Sequence, residues 1–144
     1  MEKMIFVNLP VTDLSRSIAF YEAIGATADQ HFRDDTAQMM KFSETICVML
    51  LTHPRFSGFT SRKIPNAHET AQVLLCLTEE SRADVDGTVA KAVSGGGAAD
   101  PNPVQDHGFM YGRSFEDPDG HIWEVTWMDV EAAMAASAGA EASA

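Results

Sequence analysis

The stretch D-H-G-F-M-Y-G-R-S-F-E-D-P-D-G-H-I-W-E-V-T-W-M, Asp106 to Met128, decides how the chain is read. Asp117-Pro118-Asp119-Gly120 fits a type I turn, with proline second and glycine fourth. Extended runs flank the turn, so the stretch predicts a β-hairpin. Alternation along the second run puts His121, Trp123, Val125 and Trp127 on one face, and Ile122, Glu124, Thr126 and Met128 on the other. A carboxylate in the middle of an apolar strand is costly to bury without a partner. Glu124 is therefore either a solvent-facing side chain or a functional carboxylate at the base of a cavity.

Upstream of the hairpin, Ala71 to Thr78 reads as a strand, and Ser81 as the cap of a helix with Val85, Val89, Ala92 and Val93 along its apolar stripe. Gly95-Gly96-Gly97 ends that helix; the triplet lacks the spacing of a phosphate-cradling loop. A short strand near Ala98 to Asp100 and an irregular segment from Pro101 to His107 lead into the hairpin. The first half runs in the same order. Met4 to Val11 is a strand whose end or unpaired edge is marked by Pro10. Asp13 is a helix N-cap, Leu14, Ile18 and Tyr21 follow at helical spacing, and Gly25 is the stop. Strands are predicted over Ala26 to Asp34, Gln38 to Phe42 and Thr45 to Thr52. His53 to Glu69 is loop-like, with Pro54 to Pro65 as a lid candidate.

The expected organisation is one domain over residues 1–129: module one (1–53), a linker (54–69) and module two (70–129). An Ala- and Ser-rich tail (130–144) is expected to begin as a helical turn and end disordered. Each half alone leaves one sheet face uncovered. The predicted fold class is thus α+β: two β-α-β-β-β modules forming a curved mixed sheet around a cup, with helices outside. Trp123, Val125 and Trp127 then pack on the helices, and Glu124 points into the cup.

A chain of 144 residues that is 45% hydrophobic and 22% charged is long and apolar enough to bury a core as an ordinary soluble domain. Ten basic against 21 acidic residues give a net charge of −11, which repels phosphate backbones and anionic lipids. Nucleic acid and membrane surfaces are excluded as partners, and a small molecule remains. No apolar run reaches the length of a membrane span, and Met1-Glu2-Lys3-Met4 carries no secretory signal, so a cytoplasmic protein is expected. Cys47 and Cys76 are expected as buried small hydrophobes rather than a disulfide.

The runs L-P-V-T-D-L-S-R-S-I-A-F-Y before Gly25, S-R-A-D-V-D before the glycine triplet, and F-E-D-P-D-G-H-I-W-E-V resemble the vicinal oxygen chelate superfamily. That group contains lactoylglutathione lyases (glyoxalase I), extradiol dioxygenases, fosfomycin-modifying enzymes and bleomycin-binding proteins. The likeness covers roughly residues 4–129, and D-H-G-F-M-Y-G-R-S-F-E-D-P-D-G-H-I-W-E resembles its subgroup of predicted lactoylglutathione lyases. It implies the paired β-α-β-β-β fold, a homodimer, and four strand positions for metal ligands. Those positions fall on Phe6, Leu50, Gln72 and Glu124. Phe6 and Leu50 have no donor atom, leaving Gln72 and Glu124 as weak metal candidates. Catalytic metals of this kind usually keep about three protein ligands. No cofactor is expected, and a divalent metal is disfavoured. Iron dioxygenase chemistry wants two histidines and a carboxylate, and neither histidine stands at the matched positions, which argues against that chemistry more firmly than against the fold.

Two functions compete. In the first, a lyase or isomerase works without the usual metal: Glu124 is the general base, and burial among Met4, Phe6 and Met128 suits it to that task. Asn8 and Gln72 position the substrate oxygen, and Arg113 holds an anionic group. His107 and His53 sit at the cup rim, while His31, His68 and His121 are loop or surface residues. In the second, the protein only binds its ligand, as bleomycin-sequestering relatives do, with Tyr111, Phe109, Phe56 and Phe59 lining or covering the cavity. A third possibility is a structural dimer whose cavity is filled.

Overall fold

Asp13 caps the first helix as its position predicts: its side chain accepts the Arg16 N–H at 3.1 Å. The structure, a computed structural model, describes the backbone of residues 1–143 and the side chains of residues 1–139. The capped helix, α1 (Leu14–Ala23), follows β1 (Ile5–Val11) and precedes β2 (Thr27–Asp34), β3 (Ala37–Lys41) and β4 (Ile46–Thr52). Gly25 leaves α1 at φ +106°, a conformation that favours glycine. A short helix, α2 (His53–Ser57), opens the linker.

The second module has β5 (Leu75–Thr78), α3 (Arg82–Ser94), β6 (Ala98–Ala99), β7 (Gln105–Asp106), β8 (Met110–Glu116) and β9 (Ile122–Met128). Ser81 caps α3 by accepting the Asp84 N–H. Val85, Val89 and Ala92 are buried as their spacing predicts, whereas Val93 is exposed. In both modules the first strand pairs in parallel with the last: the orders are β1-β4-β3-β2 and β5-β9-β8-β6, with β7 alongside β8. The repeat seen in the order of elements is therefore a repeat of topology.

The fold is the expected α+β pairing of two modules with helices flanking the strands; the strands form two mixed sheets, with no ladder between the edge strands β1 and β5. Pro10, which lacks an N–H, lies inside β1, where an edge strand tolerates it. One core nonetheless spans both modules. Leu9, Val11, Phe20, Tyr21, Val48 and Leu50 from the first meet Val85, Val89, Phe115, Trp123 and Val125 from the second. Each such side chain contributes about 1.5–3 kcal/mol by leaving water. Phe20 packs on Phe115 with ring centroids 6.0 Å apart, and Tyr21 on Trp123 at the same separation. Gly97 permits this approach: a Cβ there would lie 2.3 Å from the Glu116 carbonyl oxygen and 2.7 Å from the Phe20 ring.

Local expectations fail at four places. The strand expected from Ala71 begins only at Leu75, and residues 71–74 run as irregular exposed chain. The linker contains α2, with Pro54 in the first turn, where its missing N–H costs nothing. Cys76 is exposed rather than buried, while Cys47 is buried; both thiols are free. The tail forms α4 (Val130–Ser143), much longer than a single turn. Asp129 Oδ1 accepts the Ala132 N–H at its start, and the alanine-rich composition favours helix. No helix among the described residues is long and apolar enough to cross a membrane.

Candidate ligand cavity at the seam between the modules

The Asp117–Gly120 turn does more than close the β8–β9 hairpin. Gly120 N–H donates to the Asp117 carbonyl at 3.0 Å, as a tight turn requires. Asp117 Oδ1 accepts the Asp119 and His121 N–H groups, each at 2.9 Å, and its Oδ2 accepts the Tyr21 hydroxyl at 2.7 Å. Trp123 Nε1 donates to that same hydroxyl oxygen at 3.0 Å. Asp119 reaches the start of α1, accepting from Thr12 N–H at 3.0 Å, Thr12 Oγ1 at 2.8 Å and Ser17 Oγ at 3.4 Å. The turn thus pins the second module to the first. Burial raises the Asp117 carboxyl above its ordinary range, opposed by His121 and by the hydrogen bond from Tyr21. Burial, reinforced by Asp117, likewise raises the Tyr21 phenol.

Beside this clasp, where β1 and β5 fail to pair, lies a cavity of about 410 Å³. Its walls are mainly apolar: Leu9 and Pro10 from β1, Leu75 and Ile122 from the second sheet, and Phe56 and Val73 from the linker side. Thr70, Gln72 and His121 supply the polar atoms. Linker residues Pro65 and Ala67 form part of the lining, held down by contact with Gly120. A Cβ on Gly120 would lie 2.6 Å from His68 N and 2.8 Å from Ala67 C. His121 Nε2 bonds the Pro10 carbonyl at 2.8 Å across the seam. Since a carbonyl only accepts, Nε2 carries the hydrogen of this bond. A mostly apolar hollow of this size with a few polar groups has the make-up of a small-molecule site.

The sequence-predicted residues divide among three places. Gln72 and Phe56 line the cavity. Glu124 keeps the face expected of it, opposite Trp123 and Val125, but it lines neither this cavity nor its neighbour. It is partly exposed, and its side chain has no hydrogen-bond or ion-pair partner among the described residues. Met4, Phe6 and Met128, expected to bury it, are themselves 45%, 47% and 44% exposed. Asn8 is exposed on the Phe6 face of β1 and lines neither cavity.

Tyr111 and Arg113 correct the expectation that they face the cup. Opposite Trp127 and Val125 in the hairpin register, they share the face that packs on α3. Tyr111 Oη donates to Asp86 at 2.7 Å, and Arg113 spans Asp86 at 3.0 Å and Asp100 at 2.7 Å. His107 is exposed before β8, stacked on Phe109 with centroids 6.3 Å apart, and lines neither cavity. His121, expected at the surface, is instead a wall of the cavity. Its place immediately after the turn, whose Asp117 and Asp119 side chains reach the first module, was the available signal.

The four metal-ligand positions do not fit a metal. Leu50 faces the core with Leu9, so the concave face at that end of β4 is presented by Met49 and Leu51, which offer no oxygen or nitrogen. Phe6 has no donor, and Gln72 sits on irregular chain lining a cavity that Glu124 does not reach. No group of three or more His, Cys, Asp or Glu among the described residues is arranged to hold an ion.

Two modules of the β-α-β-β-β kind, the second with the extra short strand β7, each closing its first strand in parallel on its last, define the glyoxalase type of fold. The chain belongs to the Glyoxalase/Bleomycin resistance protein/Dioxygenase superfamily, whose sequence profile matches residues 3–125. Among solved structures it is similar to the hypothetical protein SA1046 from S. aureus, at 26% identity and TM-score 0.74, covering 88% of this chain and 95% of that one. It is also similar to a glyoxalase/bleomycin resistance protein/dioxygenase family enzyme from Burkholderia phytofirmans PsJN (16% identity, TM-score 0.71, 88% and 99% covered). A third is the fosfomycin resistance protein FosX from Mesorhizobium loti (15% identity, TM-score 0.66, 93% and 98% covered). The latter two likenesses concern the fold alone. No curated protein matches the chain.

Proposed function

We propose that the protein binds a small, mainly apolar organic molecule in the seam cavity, as a binding protein of the bleomycin-resistance kind rather than a metal-dependent lyase. The observation that carries this reading is the cavity of about 410 Å³, apolar on most sides, with Gln72, Thr70 and His121 placed to orient a guest. The reading includes a cytoplasmic homodimer: β1 and β5 are open edges, and Ile5, Phe6, Val73 and Leu74 beside them are about half exposed, which a second copy would cover. Calorimetric titration with 4-phenylbutan-1-ol tests the cavity. The expected result is one site with a dissociation constant of about 1 mM or below, removed by Ala71→Trp, which fills the hollow. Absence of saturable binding to a folded wild-type protein counts against it.

A second reading keeps Glu124 as a general base acting next to a carbonyl, supported by its unpartnered carboxylate on the concave face. Turnover of the methylglyoxal–glutathione adduct, lost in Glu124→Gln, is the result expected of it; no turnover by the wild type removes it.

A further inference from the structure

Two hollows of unlike chemistry adjoin at the linker. Beyond the apolar cavity lies a second of about 420 Å³, which shares Pro10, Pro65, Ala67 and His121 with the first as a common wall. Besides Ile64 and Pro118, its own lining is polar: Thr12, Arg16, His53, Asn66, His68 and Asp119. Its two formal charges are Arg16 and Asp119, and they are not paired with each other. The aspartate is already engaged, accepting from Thr12 and Ser17.

Arg16 is differently placed. Among the described residues its guanidinium touches only neutral oxygens, Thr12 Oγ1 and the Pro118 carbonyl, each at 3.5 Å, the outer limit of a hydrogen bond. Arg55, Arg82 and Arg113 each hold a carboxylate, whereas Arg16, like Arg33 and Arg62, pairs with none among the described residues; of these three, Arg16 is the one that lines a hollow. His53, Asn66 and His68 line the same hollow, with His68 Nδ1 3.6 Å from Glu116 Oε1. Asn66 Oδ1 accepts the His68 N–H, which leaves the Asn66 amide hydrogens unused among the described residues. The His53 ring has no partner among them either. A guanidinium with spare donors, in a hollow also lined by an amide and imidazoles, suits a planar anion.

We propose that this second hollow receives the carboxylate of an amphiphilic ligand whose apolar body fills the first, with Arg16 as its ion-pair partner. The inference rests on the apolar cavity being a ligand site. It makes the ligand class an aryl- or alkyl-substituted carboxylic acid. His121, on the common wall, stands where the head joins the body.

The test compares 4-phenylbutyrate with 4-phenylbutan-1-ol by calorimetry on the full chain. The acid is expected to bind about tenfold more tightly than the alcohol, a difference of about 1.4 kcal/mol. Arg16→Gln is expected to abolish the preference, while Lys91→Gln, a charge change on the distant α3, leaves it intact. Equal affinities in the wild type, or a preference that survives Arg16→Gln, overturn the inference while the alcohol's binding upholds the apolar site. Failure of both compounds to bind overturns the two readings together.

Discussion

Tyr21 Oη donates to Asp117 Oδ2 at 2.7 Å across the boundary between the modules, and both side chains are buried. Tyr21→Phe removes a donor from a buried carboxylate and an acceptor from Trp123 Nε1. Hydrogen bonds to charged groups are worth about 1.5–3 kcal/mol, and an orphaned buried donor costs more. The expected loss is about 2–4 kcal/mol of unfolding free energy, read from urea titration at unchanged denaturant slope.

Asp117 and the surface carboxylates respond to pH in opposite senses. The folded-state value of Asp117 is raised by burial. Its contribution is therefore fully present below the ordinary carboxylate range and lost as pH rises through the folded value. Asp106, lowered chiefly by Arg82, and Asp86, lowered chiefly by Tyr111 and Arg113, contribute above that range and lose it as pH falls. Asp117→Asn is neutral throughout. Its melting temperature relative to the wild type should therefore be higher at pH 7 than at pH 3. A relative value that falls instead between pH 3 and pH 7 contradicts the assignment.

Gly120→Ala is expected to loosen the linker. At φ +93° a side chain is strained, and the new Cβ meets His68 and Ala67 backbone atoms inside 3 Å. The backbone conformation alone implies a loss of about 1–3 kcal/mol. Limited proteolysis should find faster cleavage between Gly58 and Leu74 in the variant, with ligand affinity reduced.

Arg113→Gln should affect stability and leave ligand affinity alone, since the guanidinium faces α3 rather than a cavity. The pairs are partly exposed, so the cost is about 1 kcal/mol. Weakened ligand binding at unchanged stability would instead give Arg113 the substrate-holding role that its residue type suggests.

Sedimentation equilibrium should return twice the mass of one 15.6 kDa chain. Phe6→Lys, at the open β1 edge, is expected to shift the equilibrium toward monomer without unfolding the protein.

Periodicity and caps carried most of the fold into view. Asp13 and Ser81 start their helices, and the alternation along β9 places Trp123 and Val125 in the core and Glu124 opposite them. The site is harder to read because it depends on phase and on pairing. Resemblance puts Leu50 on the concave face, and a shift of one residue along a strand reverses that. Once the turn fixes Glu116 opposite Ile122, counting back along β8 brings Arg113 opposite Val125, away from Glu124. The signal is present in the turn, but it has to be followed through both strands. The cavity itself comes from residues far apart in the chain, Pro10, Pro65, Gln72 and His121, which no local pattern brings together.

The D-P-D-G segment, the most recognisable signature of the chain, is a weld: its carboxylates are consumed in fastening α1 to the second sheet. The walls of the hollow beside it come instead mainly from the linker and the sheet edges, so the guest is set chiefly by residues outside the weld.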